Sequence, residues 1–399
     1  MHVPEARMVG RRNALRVVDL FCGAGGLSEG FRQAGFDVVA GQDMDAAAGR
    51  TFASTHEGAA FHGGPIQAVT AEGLLGPAGL HPGDVDVVVG GPPCQGYSYY
   101  NHGRGEHDPR AGLFREYLRV IEGLRPRWLV MENVAGITSV ADGAVVREIH
   151  QGMAVRGYRV EMRLLRSEDF GVPQERRRMF FIATRTDRQV LFPSPTHGPA
   201  VGVPYVTIGE AISDLPAVPN AGGLAEMPYG SKPLTAYQAA MRGGCTLLTN
   251  HQAPRLAKQN LERLAHIPPG GSWRDIPKEL LPAGMQRARR SDHTKRYGRP
   301  RWDQLACTVL TKCDVHWGAF FHPEQLRSLT PREAARLQSF PDRFTFQGSR
   351  TEQFVQVGNA VPPLLGAAVA GALLTAMESF PQAHPTVRVG TRGDLELAL

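Results

Sequence analysis

Cys94 stands in the run Gly90-Gly91-Pro92-Pro93-Cys94-Gln95-Gly96, directly after an apolar segment at 85–89. A stiff Pro-Pro loop flanked by glycines at the end of a buried strand holds a thiol outward, where a nucleophile is useful; the bland reading is an inert core cysteine. Glu132 sits in Met131-Glu132-Asn133-Val134 at the end of another apolar run. A carboxylate there is costly to bury unless it is bonded, so it is either a capping residue or a functional acid. Gln174-Glu175-Arg176-Arg177-Arg178 precedes the apolar run 179–183. In extended chain Gln174, Arg176 and Arg178 share one face, which suits ion pairing or anion binding and equally a solvated strand edge. Residues 17–26 (VVDLFCGAGG) run into a glycine turn at Gly23, Gly25 and Gly26. Such a turn lets backbone approach a dinucleotide or S-adenosylmethionine, or serves only as a tight bend. Asp43 lies about 20 residues further on, placed either to hold ribose hydroxyls or to cap a helix. Met44 could lie against an adenine ring.

The elements that must position these groups are legible in outline. Short β-branched or aromatic runs at 17–21, 37–40, 85–89, 128–131 and 179–183 predict buried strands, and 27–34 and 113–124 predict helices between them. Such alternation predicts an α/β fold with a mostly parallel sheet covered on both faces, which binds ligands at the carboxyl ends of its strands. After about residue 185 prolines become frequent and the alternation fades, which suggests a smaller, irregular domain. A helix is expected at 330–338, with Thr330 as cap, Pro331 at its first position and Glu333 three residues past the cap. The uncharged stretch 361–377 opens on Pro-Pro and reads as a buried helix rather than a membrane span.

Composition narrows the class. At 399 residues, 42% hydrophobic and 21% charged, the chain is globular with ample core. The first 16 residues lack an apolar h-region, so no secretory signal is expected. Five cysteines at irregular spacing with no CxxC pair argue against a disulfide framework or a structural zinc site. The net charge of +6 equals that of residues 287–301 (RARRSDHTKRYGRPR), where seven basic side chains face one acidic one. Such a strip suggests a polyanionic partner or a solvated basic loop.

Taken together, the chain resembles the DNA (cytosine-5)-methyltransferase family. DLFCGAGG at 19–26, GPPCQG at 91–96, DPRAGLF at 108–114, ENV at 132–134, QERRR at 174–178, RSLTPREAARLQSFPD at 327–342 and QVGNAVPP at 356–363 stand in the family's order. The resemblance implies a Rossmann-like S-adenosylmethionine-dependent methyltransferase sheet in 14–190, completed by 355–380. It also implies a target-recognition domain in 191–326, a hinge and late-motif segment in 327–354, and a tail in 381–399. It implies that Cys94 adds as thiolate to C6 of a cytosine, that Glu132 holds and protonates N3, and that Arg178, with Arg176 beside it, supports both. C5 then takes a methyl group from S-adenosyl-L-methionine, leaving S-adenosyl-L-homocysteine. Phe21, Gly23, Gly25, Gly26, Asp43, Met44, Pro93, Leu113, Asn359 and Ala360 match the family's cofactor positions. Pro65-Ile66 stands where the family often has Asp-Ile, so adenine recognition must lean on backbone or another side chain.

The chemistry cannot reach a base inside a duplex, so the family flips the cytosine out. The loop 95–110, with Gln95 and Ser98, would close over it. Gln174, Arg287, Arg289, Arg290, Lys295, Arg296, Arg299, Arg301 and Lys312 are the remaining candidate DNA contacts. The resemblance implies double-stranded DNA as partner, no membrane, a monomer in the cytoplasm at the nucleoid, and a cognate restriction endonuclease where the enzyme belongs to a restriction-modification pair. Two other readings stay open. A tRNA cytosine methyltransferase on this scaffold usually carries Cys-Phe-Thr, whereas here the nearest match is Ala306-Cys307-Thr308. A catalytically silent DNA-binding protein would not need Cys94, Glu132 and Arg178 intact. A nicotinamide dehydrogenase drops out because the turn lacks GxGxxG spacing.

Overall fold

The computed structural model describes residues 14–93, 112–289, 291–292 and 295–379. The first half alternates β1 (Arg16–Leu20), α1 (Gly26–Gln33), β2 (Asp37–Asp43), α2 (Ala46–Thr55), β3 (Ala60–Gly63), α3 (Ala71–Leu75), β4 (Val87–Gly90), α4 (Leu113–Leu124), β5 (Trp128–Val134), α5 (Ala144–Ala154), β6 (Arg159–Arg166) and β7 (Arg177–Thr184). These strands form one sheet in the order β3-β2-β1-β4-β5-β7-β6. β1 to β5 pair in parallel, and β7 runs antiparallel between β5 and β6. All five expected strands are present. β3 and β6 are additional: β3 is only half-buried, and β6 is an edge strand whose residues are mostly exposed. An edge strand keeps its charges in solvent, so neither strand carries an apolar run.

Two apolar layers cover the sheet. Val18, Leu20, Val88 and Met131 face α3, α4 and α5 on one side. Val17, Val87, Val130 and Phe180 face α1 and the last helix, Pro363–Glu378, on the other. That last helix starts on its prolines, as expected. It presses so closely on α1 that a Cβ on Gly30 would lie 2.5 Å from the Ala367 nitrogen. Among the described residues only the stretch Arg350–Glu378 is long and apolar enough to span a membrane, and half of its 18-residue apolar window is buried.

Beyond β7 the chain forms α6 (Ile208–Ile212), β8 (Glu226–Pro228), α7 (Ala236–Arg242), β9 (Leu247–Thr249), α8 (Lys258–Ala265), α9 (Pro331–Leu337), α10 (Arg350–Asn359) and α11 (Pro363–Glu378). A third apolar core gathers Ile212, Leu248, Trp273, Phe320, Phe340 and Val357, so residues 327–354 pack with the irregular domain. Thr330 and Glu333 close the expected capping box on α9. Arg327 grips Glu333 through two bonds of 2.7 and 2.8 Å, and Arg336 is held between Asp342 and Asp214, all fully buried. The Arg327 guanidinium holds the Glu333 carboxyl well below the usual carboxylate range against its burial. Much of the motif at 327–342 therefore holds the smaller domain together.

Candidate active site

Three of the motifs meet because their strands are neighbours. Leu20 pairs with Gly90, and Gly90 with Met131. The glycine turn after β1, the Pro-Pro loop after β4 and the Glu132 segment of β5 therefore lie side by side at one edge. The strand order reverses between β1 and β4, which is where an open α/β sheet binds its ligand. The arginine motif precedes its strand rather than following it. It reaches the same edge because β7 is antiparallel, which sets Arg178 opposite Val134.

Glu132 and Arg178 form an ion pair of 2.7 Å, with side chains only 12% and 15% exposed. Burial raises the Glu132 carboxyl above its ordinary range, against the lowering influence of Arg178 and Arg176. Such a carboxyl can keep and deliver a proton at a pH where a free glutamate has lost it. The entrance to the Cys94 loop is fixed beside it. A Cβ on Gly91 would stand 3.1 Å from Glu132 Oε2, and the Asn133 side-chain amide donates to the Pro92 carbonyl at 3.0 Å. Cys94 itself lies outside the described residues, as do Gln95, Ser98 and Arg290. The described cysteines, Cys22, Cys245, Cys307 and Cys313, are free thiols.

The glycine turn separates into two functions. Gly23 has φ +53°, and a Cβ there would meet nothing within 4 Å, so it borders open space. At Gly25 a Cβ would lie 2.4 Å from the His56 ring, and at Gly26 2.4 Å from the Val361 carbonyl. At Gly25 and Gly26, packing alone already requires the lack of a side chain. Phe21 also takes positive φ (60°), half-buried at the strand end. Asp43 accepts from the Gly23 nitrogen at 2.8 Å and from the Asp45 nitrogen at 2.9 Å. It is Asp45, not Asp43, that caps α2. Met44 is 76% exposed beside it. Pro93 and Asn359 are exposed, while Leu113 and Ala360 are half-buried. Open space at Gly23, a fixed carboxylate and an exposed thioether fit a bound nucleoside.

Several expected roles change. Arg176 is buried and touches no open site. Its guanidinium donates to the carbonyls of Val309, Gly358 and Ala360 at 2.9–3.1 Å. It ties the smaller domain to the segment around Asn359 and acts on Glu132 only through its charge, so it is a positioning residue. Gln174 is fully buried and accepts from the Val309 nitrogen while donating to the Leu337 carbonyl, which removes it from the DNA contacts. Arg299 spends its guanidinium on the carbonyls of Ile267, Pro323 and Glu324 and is likewise structural. Arg287, Arg289, Lys295, Arg301 and Lys312 are exposed, with Lys295 paired to Glu175 and Arg301 to Asp303. Arg296 stacks on the exposed Trp317 ring at 4.5 Å.

Two positioning residues escape the sequence reading. Arg119 donates to the Ile66 and Val69 carbonyls and so fixes the segment after Pro65. Gln338 donates to the Val357 and Ala360 carbonyls. Its place at the end of the capped helix α9 was the available signal. Among the described residues, no group of three His, Cys, Asp or Glu side chains could hold a metal ion.

Comparison with known proteins agrees with this arrangement. The C-5 cytosine-specific DNA methylase family model matches residues 15–375. The type II methyltransferase M.AgeI of Thalassovita gelatinovora is 34% identical, covering 91% of this chain and all of that protein. M1.HphI of Haemophilus parahaemolyticus is 36% identical, covering 90% of this chain and 87% of that protein. An E. coli prophage DNA modification methyltransferase of known structure shares the fold, with a TM-score of 0.71 at 24% identity over 92% of this chain and all of that one. With a family match over residues 15–375 and relatives 34–36% identical across most of both chains, this protein belongs to the C-5 cytosine-specific DNA methylases.

Proposed function

We propose that this enzyme methylates C5 of a cytosine extruded from a short specific sequence of double-stranded DNA, through a covalent bond between Cys94 Sγ and C6. The observation that carries the reading is the buried Glu132–Arg178 pair at the entrance to the Cys94 loop. Glu132 gives its proton to N3, which draws electron density from C6. Cys94 thiolate then forms the Sγ–C6 bond, and C5 becomes nucleophilic. Bound S-adenosylmethionine supplies the electrophilic methyl group for C5. Loss of the C5 proton to solvent then lets the Sγ–C6 bond break, and the N3 proton returns to the Glu132 carboxylate, which restores the Cys94 thiolate and the aromatic ring. Phe21, Gly23, Asp43 and Met44 would hold the cofactor's nucleoside, with Pro93, Leu113, Asn359 and Ala360 around its other parts.

In this reading the partner is duplex DNA, and the enzyme is a cytoplasmic, nucleoid-associated monomer, acting beside a cognate endonuclease where it belongs to a restriction-modification pair. The exposed arginines and lysines of 287–301, with Lys312, contribute phosphate attraction. Bisulfite sequencing of host DNA after expression of the chain is the direct test. Methylated cytosines in one short context are expected, and labelling of tRNA with unmethylated DNA would overturn the reading.

Asp43→Ala should weaken S-adenosylmethionine binding about tenfold to a hundredfold. A lost charge-assisted bond is worth about 1.5–3 kcal/mol, and the Gly23 and Asp45 nitrogens lose their shared acceptor. Calorimetric titration of wild type and variant with the cofactor measures it.

A further inference from the structure

We propose that Arg166 and Arg177 form a phosphate clamp for DNA in the cleft beside Glu132, gripping the backbone next to the extruded nucleotide. The inference rests on the proposed function and adds to it a binding subsite made by neither the basic strip nor the catalytic pair. The cleft has a volume of about 580 Å³ and is lined by Arg166, Glu168, Glu175, Arg177 and Arg178, with Tyr205 and Thr308 on the smaller-domain side. Arg178 connects it directly to the catalytic carboxylate.

Arg166 on β6 and Arg177 on β7 are directly opposite in the ladder, so both side chains leave the same face. Like charges placed opposite each other on neighbouring strands are destabilising; Glu168 offsets Arg166 through its Nε, and a bound anion would offset Arg177. The two acidic groups of the lining are already engaged: Glu168 accepts from Arg166 Nε at 3.0 Å and from the Arg176 backbone, and Glu175 pairs with Lys295. Arg166 is engaged through Nε alone and is 46% exposed, so its terminal amino groups have no bond to a described residue. Arg177 is exposed, and no described residue bonds its guanidinium. Two planar forks facing one opening match the oxygens of a phosphodiester.

The probe is a fluorescein-labelled duplex of about 30 base pairs carrying the methylated context, with anisotropy followed against salt. Each lost phosphate contact reduces the slope of log K against log salt by about 0.9. Arg177→Gln should therefore flatten the slope by about 0.9, and the Arg166→Gln/Arg177→Gln pair by about 1.8. Arg177→Lys, which keeps the charge, should restore most of the slope. Neutral methylphosphonate linkages, scanned across the phosphates flanking the target, should include one position where Arg177→Gln has no further effect. A wild-type slope in Arg177→Gln, or additive effects at every scanned linkage, overturns the clamp while methylation by the wild type keeps the proposed function intact. Failure of the wild type to bind or methylate DNA overturns both.

Discussion

Cys94→Ala is expected to bring methyl transfer below detection and to abolish the stable adduct with duplex DNA containing 5-fluorocytosine. Cytosine C5 is too weak a nucleophile to take a methyl group unaided, so on the proposed mechanism the rate depends on the bond from the Cys94 thiolate to C6. With fluorine at C5 there is no proton to lose, the Sγ–C6 bond cannot break, and the complex survives denaturation. The loop's entrance is anchored by Asn133 on the Pro92 carbonyl and abuts Glu132 at Gly91. Both contacts precede residue 94, so the alanine variant should fold and bind cofactor as the wild type does. Denaturing gel electrophoresis after incubation with the fluorinated duplex reads the outcome. An adduct that persists in Cys94→Ala would remove this residue from the nucleophile's role.

The parts of the fold and site that could be read from sequence are those whose signal is local. The buried parallel strands announce themselves as short apolar runs, and α9 announces its start through Thr330, Pro331 and Glu333. The edge strand β6 gives no such signal, because an edge exposes its side chains and its sequence, RVEMRLLR, carries charge instead. The antiparallel direction of β7 was equally hidden, although it alone brings Arg178 to Glu132. Residue type misled most at the buried polar groups. Arg176 and Gln174 look like surface or catalytic residues in a chain read linearly, and they prove to be bonded to carbonyls and amides more than 130 residues away. Long-range bonds of this kind have no periodicity and no spacing, so only the assembled fold reveals them. The glycine turn shows the same limit, since only the assembled packing against His56 and Val361 distinguishes Gly25 and Gly26 from Gly23, which borders open space.

Glu132→Gln is expected to lower kcat by about 10²–10⁴-fold, the range contributed by a positioned general acid, while leaving the fold nearly unchanged. The amide keeps an oxygen that can accept from Arg178, so the 2.7 Å contact survives in kind, but it has no acidic proton for N3. The pH profile separates this role from a purely structural one. Burial raises the Glu132 carboxyl, and Arg178 and Arg176 only partly oppose it. The protonated form is the active one, so its contribution to kcat is present below the folded pKa and is lost as pH rises through it. That alkaline limb should lie above the ordinary carboxylate range and vanish in Glu132→Gln. Stability should follow the same group. Between the ordinary carboxylate pKa and the raised folded value the native state holds a proton that the unfolded chain has released, so wild-type stability falls with pH across that window. The glutamine variant should lack this fall, as urea midpoints at several pH values would record. A glutamine variant with wild-type kcat and the alkaline limb intact would mean that Glu132 only braces Arg178 and that the proton for N3 comes from elsewhere.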